Sequence, residues 1–275
     1  MQLIDAIGRK HERIGAGDSC RIVSLVPSIT ELLCDLGLAS RIVGRTGFCI
    51  HPQQAVAKIP KVGGTKDVNV QKIRQLAPTH LVVNMDENEK PTVDTLSSFI
   101  PNVIVTHPLS PLDNPPLFRL MGGVFGCEAE ADTLCAQFDT ELQRLLHKLQ
   151  LNEASQQRGR LMPHRALYCI WQDPWMTVSR DTYIARMLEL IGWQHWISDS
   201  TARYPVFQWN EELLANIDEV ILSSEPYRFT DQHVDALERQ LGKPVRLVDG
   251  EMLSWYGSRS IQGLAYLGGL AEGKD

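Results

Sequence analysis

Three stretches of this 275-residue chain carry the side chains best suited to chemistry. Residues 44–52 (GRTGFCIHP) set Arg45, Cys49 and His51 among flexible glycines. A thiolate and an imidazole can coordinate a metal ion. No other Cys or His stands at ligand spacing nearby, so a buried cysteine and a surface histidine are the simpler reading. Residues 171–176 (WQDPWM) hold Trp171, Asp173 and Trp175, and residues 249–259 (DGEMLSWYGSR) end in Trp255, Tyr256 and Arg259. Flat apolar walls with a few polar tips suit a macrocycle or an aromatic chelate. Arg259 could then meet a carboxylate or phosphate in a forked geometry. The plainer alternative is a C-terminal lid packed on its own lobe. Glu225, in residues 223–227 (SSEPY), could serve with Asp173 or Asp249 as acid or base, which leaves a hydrolase or lyase as the minority reading. The chain contains no GxGxxG, P-loop, GxSxG or HExxH motif.

Composition narrows the classes further. The formal net charge is -6 and no Lys/Arg block interrupts the chain, so the electrostatic footprint of a nucleic-acid binder is missing. No apolar run approaches the roughly 18 residues needed to cross a bilayer, so membrane insertion is not expected. Residues 1–19 contain Asp5, Arg9, Lys10, His11, Glu12 and Arg13 and lack an apolar core, so they do not read as a secretory signal. The six cysteines (Cys20, Cys34, Cys49, Cys127, Cys135 and Cys169) are scattered without a CxxC pair. They read as reduced, core-type thiols in a reducing compartment.

The elements that must position these residues come in two similar series. Strands are expected at 21–26, 79–83 and 102–105, and again at 166–170, 219–222 and 244–248. In each series a helix follows the first strand, ending at Leu36-Gly37 and Ile191-Gly192, and a shorter helical segment precedes the second strand (70–78 and 211–216). Strands alternating with helices argue for parallel sheets built from βαβ units, and a repeated unit argues for two lobes. Pro27 fixes the turn after the first strand, and Ser28 with Glu31 fits a capping box. Residues 107–116 are rich in turn formers. Between 117 and 149, Leu134, Phe138, Leu142, Leu145 and Leu149 recur at helical spacing and predict one long amphipathic helix, with a polar exit loop at 152–164.

The fold class is therefore α/β, with two Rossmann-like lobes, parallel central sheets and one long connecting α-helix. The organisation expected is a 1–20 extension, a 21–106 lobe, a 107–160 linker and a 161–275 lobe. Ligands gather at the carboxyl ends of parallel strands, so the ligand is expected in the cleft between the lobes. The candidates from the first lobe are Pro27, Ser28, Arg45, Gly64 and Asn84. Those from the second are Trp171, Trp175, Tyr204, Glu225, Trp255, Tyr256 and Arg259, with Trp193 and Trp196 assigned to packing.

Residues 21–31 (RIVSLVPSITE), the Leu36-Gly37 helix end, residues 42–44 (IVG), 59–64 (IPKVGG) and 73–82 (IRQLAPTHLV) together resemble the helical-backbone metal receptor superfamily. Its members include class III substrate-binding proteins for vitamin B12, ferric siderophores and haem. The similarity continues through residues 122–134 and, more weakly, across the second half. The resemblance implies a non-catalytic receptor that holds a metal chelate of the cobalamin, siderophore or haem type and needs no cofactor of its own. A sensor acting on a small metabolite is an alternative. Members serving ABC importers carry a glutamate at the tip of each lobe for docking to permease arginines. Here the positions resemble Glu211 and Gln71, and the neutral amide makes permease docking doubtful. With the charged N-terminus, this points to a cytoplasmic protein, the alternative being a periplasmic one whose leader was removed.

Overall fold

Runs of β-branched and aliphatic residues, buried on both faces, form the strands, as expected of sheets covered by helices on either side. A computed structural model describes residues 2–15, 17–156, 164–196 and 200–273. In chain order the elements begin with β1 (Ile22–Ser24), α1 (Pro27–Asp35), β2 (Ile42–Arg45), α2 (Gln53–Val56) and α3 (Val70–Gln75). Next come β3 (His80–Asn84), α4 (Lys90–Ser97), β4 (Asn102–Thr106), α5 (Asn114–Phe125) and α6 (Glu128–Gln156). They continue with β5 (Arg165–Trp171), β6 (Met176–Thr177), α7 (Tyr183–Leu190), β7 (Gln194–His195) and α8 (Glu211–Ala215). The last are β8 (Glu219–Ser223), α9 (Asp231–Leu241), β9 (Val245–Val248), α10 (Gly250–Ser254) and α11 (Arg259–Leu270).

The chain divides into two compact units. The first comprises Met1–Pro108, Leu112–Phe138 and Tyr256–Arg259, and the second Leu109–Pro111, Asp139–Trp255 and Ser260–Asp275. Helix α6 starts in the first unit and continues in the second. The first sheet is β2-β1-β3-β4, parallel throughout. The second runs β6-β5-β8-β9, with β7 also beside β5. Its strands are parallel except β6, which is antiparallel to β5. With β6 set aside, β7-β5-β8-β9 repeats β2-β1-β3-β4, so the duplication legible in the sequence is a duplication of topology. Each sheet has its own core. Val23, Leu25, Leu81, Val83 and Val103 pack with Leu96 and Ile100 in one, and Leu167, Val220 and Leu222 with Phe207, Phe229 and Leu237 in the other.

Two local expectations change. The capping box at Ser28 does not form. Pro27 takes the first helical position, where a missing N–H is harmless and a fixed φ suits the helix, so Val26 is the N-cap and makes no side-chain cap bond. Glu31 binds Arg259 instead of reaching back. The helix expected as continuous from residue 117 is interrupted at Gly126, whose φ of +71° is the left-handed conformation that ends helices. Beyond it α6 runs on to Gln156. Most of the exit loop expected at 152–164, with the boundary near residue 160, lies outside the described residues.

Candidate ligand-binding surfaces

In the first unit, the carboxyl ends of the strands are built from polar residues turned inward. Pro27 opens α1 and Ser28 is buried in its first turn. Arg45, the last residue of β2, is buried; its Nε donates to Val56 O (2.9 Å) and its Nη1 to Thr46 O (3.0 Å). Its guanidinium therefore ties the end of β2 to α2. Asn84 closes β3 and organises its own loop. Its Oδ1 accepts from Asp86 N (2.8 Å), its Nδ2 donates to Thr106 Oγ1 (3.4 Å), and its N–H donates to Asn88 Oδ1 (2.9 Å). Gly64 donates to Asp67 O (2.7 Å), and a Cβ on it would lie 3.4 Å from the Phe48 ring. Cys49 is buried, with Thr30 and Thr46 hydroxyls each 3.1 Å from its sulfur, and burial pushes its thiol up. Among the described residues, no three His, Cys, Asp or Glu side chains are grouped to hold a metal ion.

Three large apolar side chains are displayed along this edge. Phe48 (62% exposed) and Ile50 (49%) follow β2, and Met85 (51%) follows β3. Sequence reasoning singled out none of them; the available signal was large apolar residues inside Gly-rich and Asn-rich loops.

The segment Tyr256–Arg259 also belongs to this unit. The Tyr256 hydroxyl donates to Glu87 Oε1, and the phenol is pushed well up by burial and the neighbouring carboxylate. Gly257, at φ +83°, donates to Asn114 Oδ1 (2.7 Å). Arg259 grips Glu31 with both arms, Nε to Oε2 at 2.8 Å and Nη2 to Oε1 at 2.7 Å. Burial raises the Glu31 carboxyl in spite of this partner. Tyr256 and Arg259 are thus committed to internal contacts.

In the second unit the aromatics separate into displayed and packed. Trp171 ends β5, is 40% exposed, and meets Tyr227 edge-on at 5.5 Å. Trp175 stacks on Phe229 (5.8 Å, 8° between planes) and meets Trp209 edge-on at 5.3 Å, while Phe207 meets Trp209 at 5.0 Å. Trp196 packs against Phe207 and Trp193 against His164. Residues 203–207 run alongside β6, with Thr177 N donating to Pro205 O (3.0 Å) and Phe207 N to Trp175 O (3.0 Å). This run displays Tyr204 (38% exposed) and Val206 (55%).

Glu225 holds a loop together: its Oε1 accepts from Ser254 Oγ and from Trp255 Nε1, both at 2.7 Å. Burial raises its carboxyl, with the Ser254 bond opposing. Asp249 caps α10, accepting from Glu251 N (3.0 Å) and Met252 N (3.4 Å). Glu225 and Asp249 are thus engaged in shaping loops rather than poised as an acid–base pair.

The chain matches the family model described as Periplasmic binding protein over residues 22–240. It is 20% identical over 241 residues to the vitamin B12-binding protein of Pectobacterium atrosepticum, covering 88% of this chain and 84% of that one. Among solved structures, it resembles the periplasmic vitamin B12 binding protein BtuF of Vibrio cholerae with a TM-score of 0.74 at 17% identity, covering 92% of this chain and 96% of that one. It also resembles a periplasmic heme binding protein from Pseudomonas aeruginosa, with a TM-score of 0.75 at 20% identity and 91% of each chain covered. The cytoplasmic placement expected above is overturned by the family match, since the model that fits residues 22–240 is that of periplasmic binding proteins. The cysteines that supported that placement carry no compartment signal. Burial pushes Cys34 and Cys127 up to about 11 and raises Cys169 further, and thiols held protonated in a core react slowly in any compartment. With a family match spanning most of its length and a two-lobed α/β fold to carry it, the chain belongs to the periplasmic binding protein family and is a non-catalytic binding protein of the ABC-importer type.

Proposed function

We propose that the protein is a receptor for a bulky organic metal complex of the cobalamin, haem or siderophore type, recognised through exposed apolar groups at strand ends. The observation that carries this reading is where the exposed apolar groups lie. Phe48, Ile50 and Met85 in the first unit and Trp171 in the second stand exposed at or just past strand ends, with Val206 exposed beside β6, while the polar Arg45, Asn84 and Glu225 are bonded internally. Large apolar side chains left exposed at strand ends mark candidate binding surfaces. Aromatic and aliphatic faces favour a large flat guest, and relatives named for vitamin B12 and heme bind such molecules. Coupling to an import permease would use Glu211, exposed in the first turn of α8, and Gln71, exposed in the first turn of α3. The amide at Gln71 leaves one charge-assisted contact fewer.

All six tryptophans lie in the second unit, so their emission reports on that surface. Titration with cyanocobalamin, hemin and a ferric siderophore is expected to quench it at micromolar or lower concentration for one of the three. No response to any of them up to about 100 μM removes the reading.

A further inference from the structure

The open edge of the first sheet is covered by the chain's own N-terminal segment. Strand β4 ends the order β2-β1-β3-β4 and, among the described residues, has β3 as its only strand partner. Its residues 102–106 (NVIVT) combine β-branched side chains with no charge and no proline. An uncovered strand of that composition is a template for pairing with another chain. Three backbone groups on its outer side are taken by residues 5–9. Ala6 N donates to Val105 O (3.0 Å), Val105 N donates to Asp5 Oδ2 (3.1 Å), and Arg9 Nη1 donates to Val103 O (3.2 Å).

The covering segment is a loop closed by an Ile4–Lys10 bridge and organised around Asp5. The Asp5 side chain is fully buried (0% exposed). Its Oδ1 accepts from Ile7 N (3.1 Å) and Arg9 N (2.8 Å), and its Oδ2 lies 3.1 Å from His11 Nε2. Two anchors fix the rest. Leu3 fills the notch at Gly123, where a Cβ would come within 2.3 Å of its Cδ2, and Ile14 N donates to Val124 O (2.9 Å). The family match begins only at residue 22, so this segment lies outside it.

We propose that residues 3–14 are an edge strap that prevents β4 from pairing with β4 of a second copy of this chain. A carboxylate and a guanidinium stand where the groups of a neighbouring strand would bond. Two-fold pairing uses the same edge on both copies, so one uncovered strand suffices for a dimer. The strap blocks it by occupying the outward groups of Val103 and Val105.

The test compares the full chain with Asp5→Ala, which removes the acceptor for Ile7, Arg9 and Val105 and leaves every apolar side chain of the core in place. The expected result is amide exchange at Val105 faster by about 100-fold. With it comes concentration-dependent self-association by light scattering between about 1 μM and 0.5 mM, reversed by a peptide of residues 1–15 added in trans. A variant that stays monomeric over that range while Val105 exchanges fast overturns the proposal, as does association only with unrelated proteins. If Val105 stays protected in Asp5→Ala, deletion of residues 2–15 opens the edge, and the same two results decide. Loss of far-UV circular dichroism in the deleted chain also overturns it, because the segment would then be core rather than cover.

Discussion

Trp171 and Trp175 stand four positions apart in one loop region and do different work. Trp171, at the end of β5, touches Tyr227 with one edge and leaves 40% of its surface in solvent. Trp175 lies flat on Phe229 and against Trp209. A displayed ring contributes to binding, whereas a stacked one contributes to the fold. Trp171→Ala is therefore expected to weaken binding of the responding ligand about tenfold, or ~1.4 kcal/mol, with stability changed by less than about 0.5 kcal/mol. Trp175→Ala is expected to destabilise the protein by about 3 kcal/mol. Urea unfolding beside the ligand titration separates the two, and equal losses of stability would contradict the assignment. From sequence the two tryptophans were equivalent, because both follow the same strand and neither carries a mark of its partners.

Helix ends repeat between the units as closely as the strands do. The α1 end puts Gly37 at φ +77° with Leu38 N bonded to Leu33 O (2.9 Å), and the α7 end puts Gly192 at φ +74° with Trp193 N bonded to Leu188 O (3.2 Å). Helices α3 and α8 both start on an asparagine, Asn69 accepting from Lys72 N (2.9 Å) and Asn210 from Leu213 N (2.8 Å). Such ends are decided within a few residues, and for that reason the Leu36-Gly37 and Ile191-Gly192 stops were legible. The α1 start was misread because Pro27 outcompetes Ser28 for the entry into the helix. Glu31, released from capping, became one half of the buried pair with Arg259 at the start of α11. Removing one partner of a buried ion pair strands the other charge. Arg259→Met is accordingly expected to cost about 3–5 kcal/mol, and Glu31→Leu combined with Arg259→Met to recover most of it. Chemical denaturation of the two single variants and the double variant checks this; additive losses would mean the pair is not coupled.

Across the molecule, two buried histidines make stability depend on pH in both units. Burial holds His80 in the first unit and His195 in the second near a pKa of about 4, against about 6.5 in an unfolded chain. Their contribution is complete above pH 6.5. As pH falls, the unfolded chain takes up protons that the folded one refuses, so stability drops until about pH 4 and then levels off. Each histidine accounts for at most on the order of 3 kcal/mol. Tryptophan emission follows the second unit, so unfolding by fluorescence reads His195 in particular. His195→Gln is expected to flatten the slope between pH 6.5 and 4 by that probe; an unchanged slope would show that His195 does not contribute to the acid limit.

The amino-acid order by itself determined the alternation of strand and helix, the duplication into two α/β units and the family, since these rest on local hydrophobic period, turn residues and motif order. It also located the ends of the strands. Only the tertiary structure decided which side chains there stay free. Arg45 turned out bound to Val56 and Thr46, Arg259 to Glu31 and Glu225 to Trp255, while Phe48, Ile50 and Met85 emerged as the exposed groups. The physical reason is that burial and hydrogen bonding are settled by neighbours as far as 228 positions away along the chain, and no local pattern encodes those neighbours.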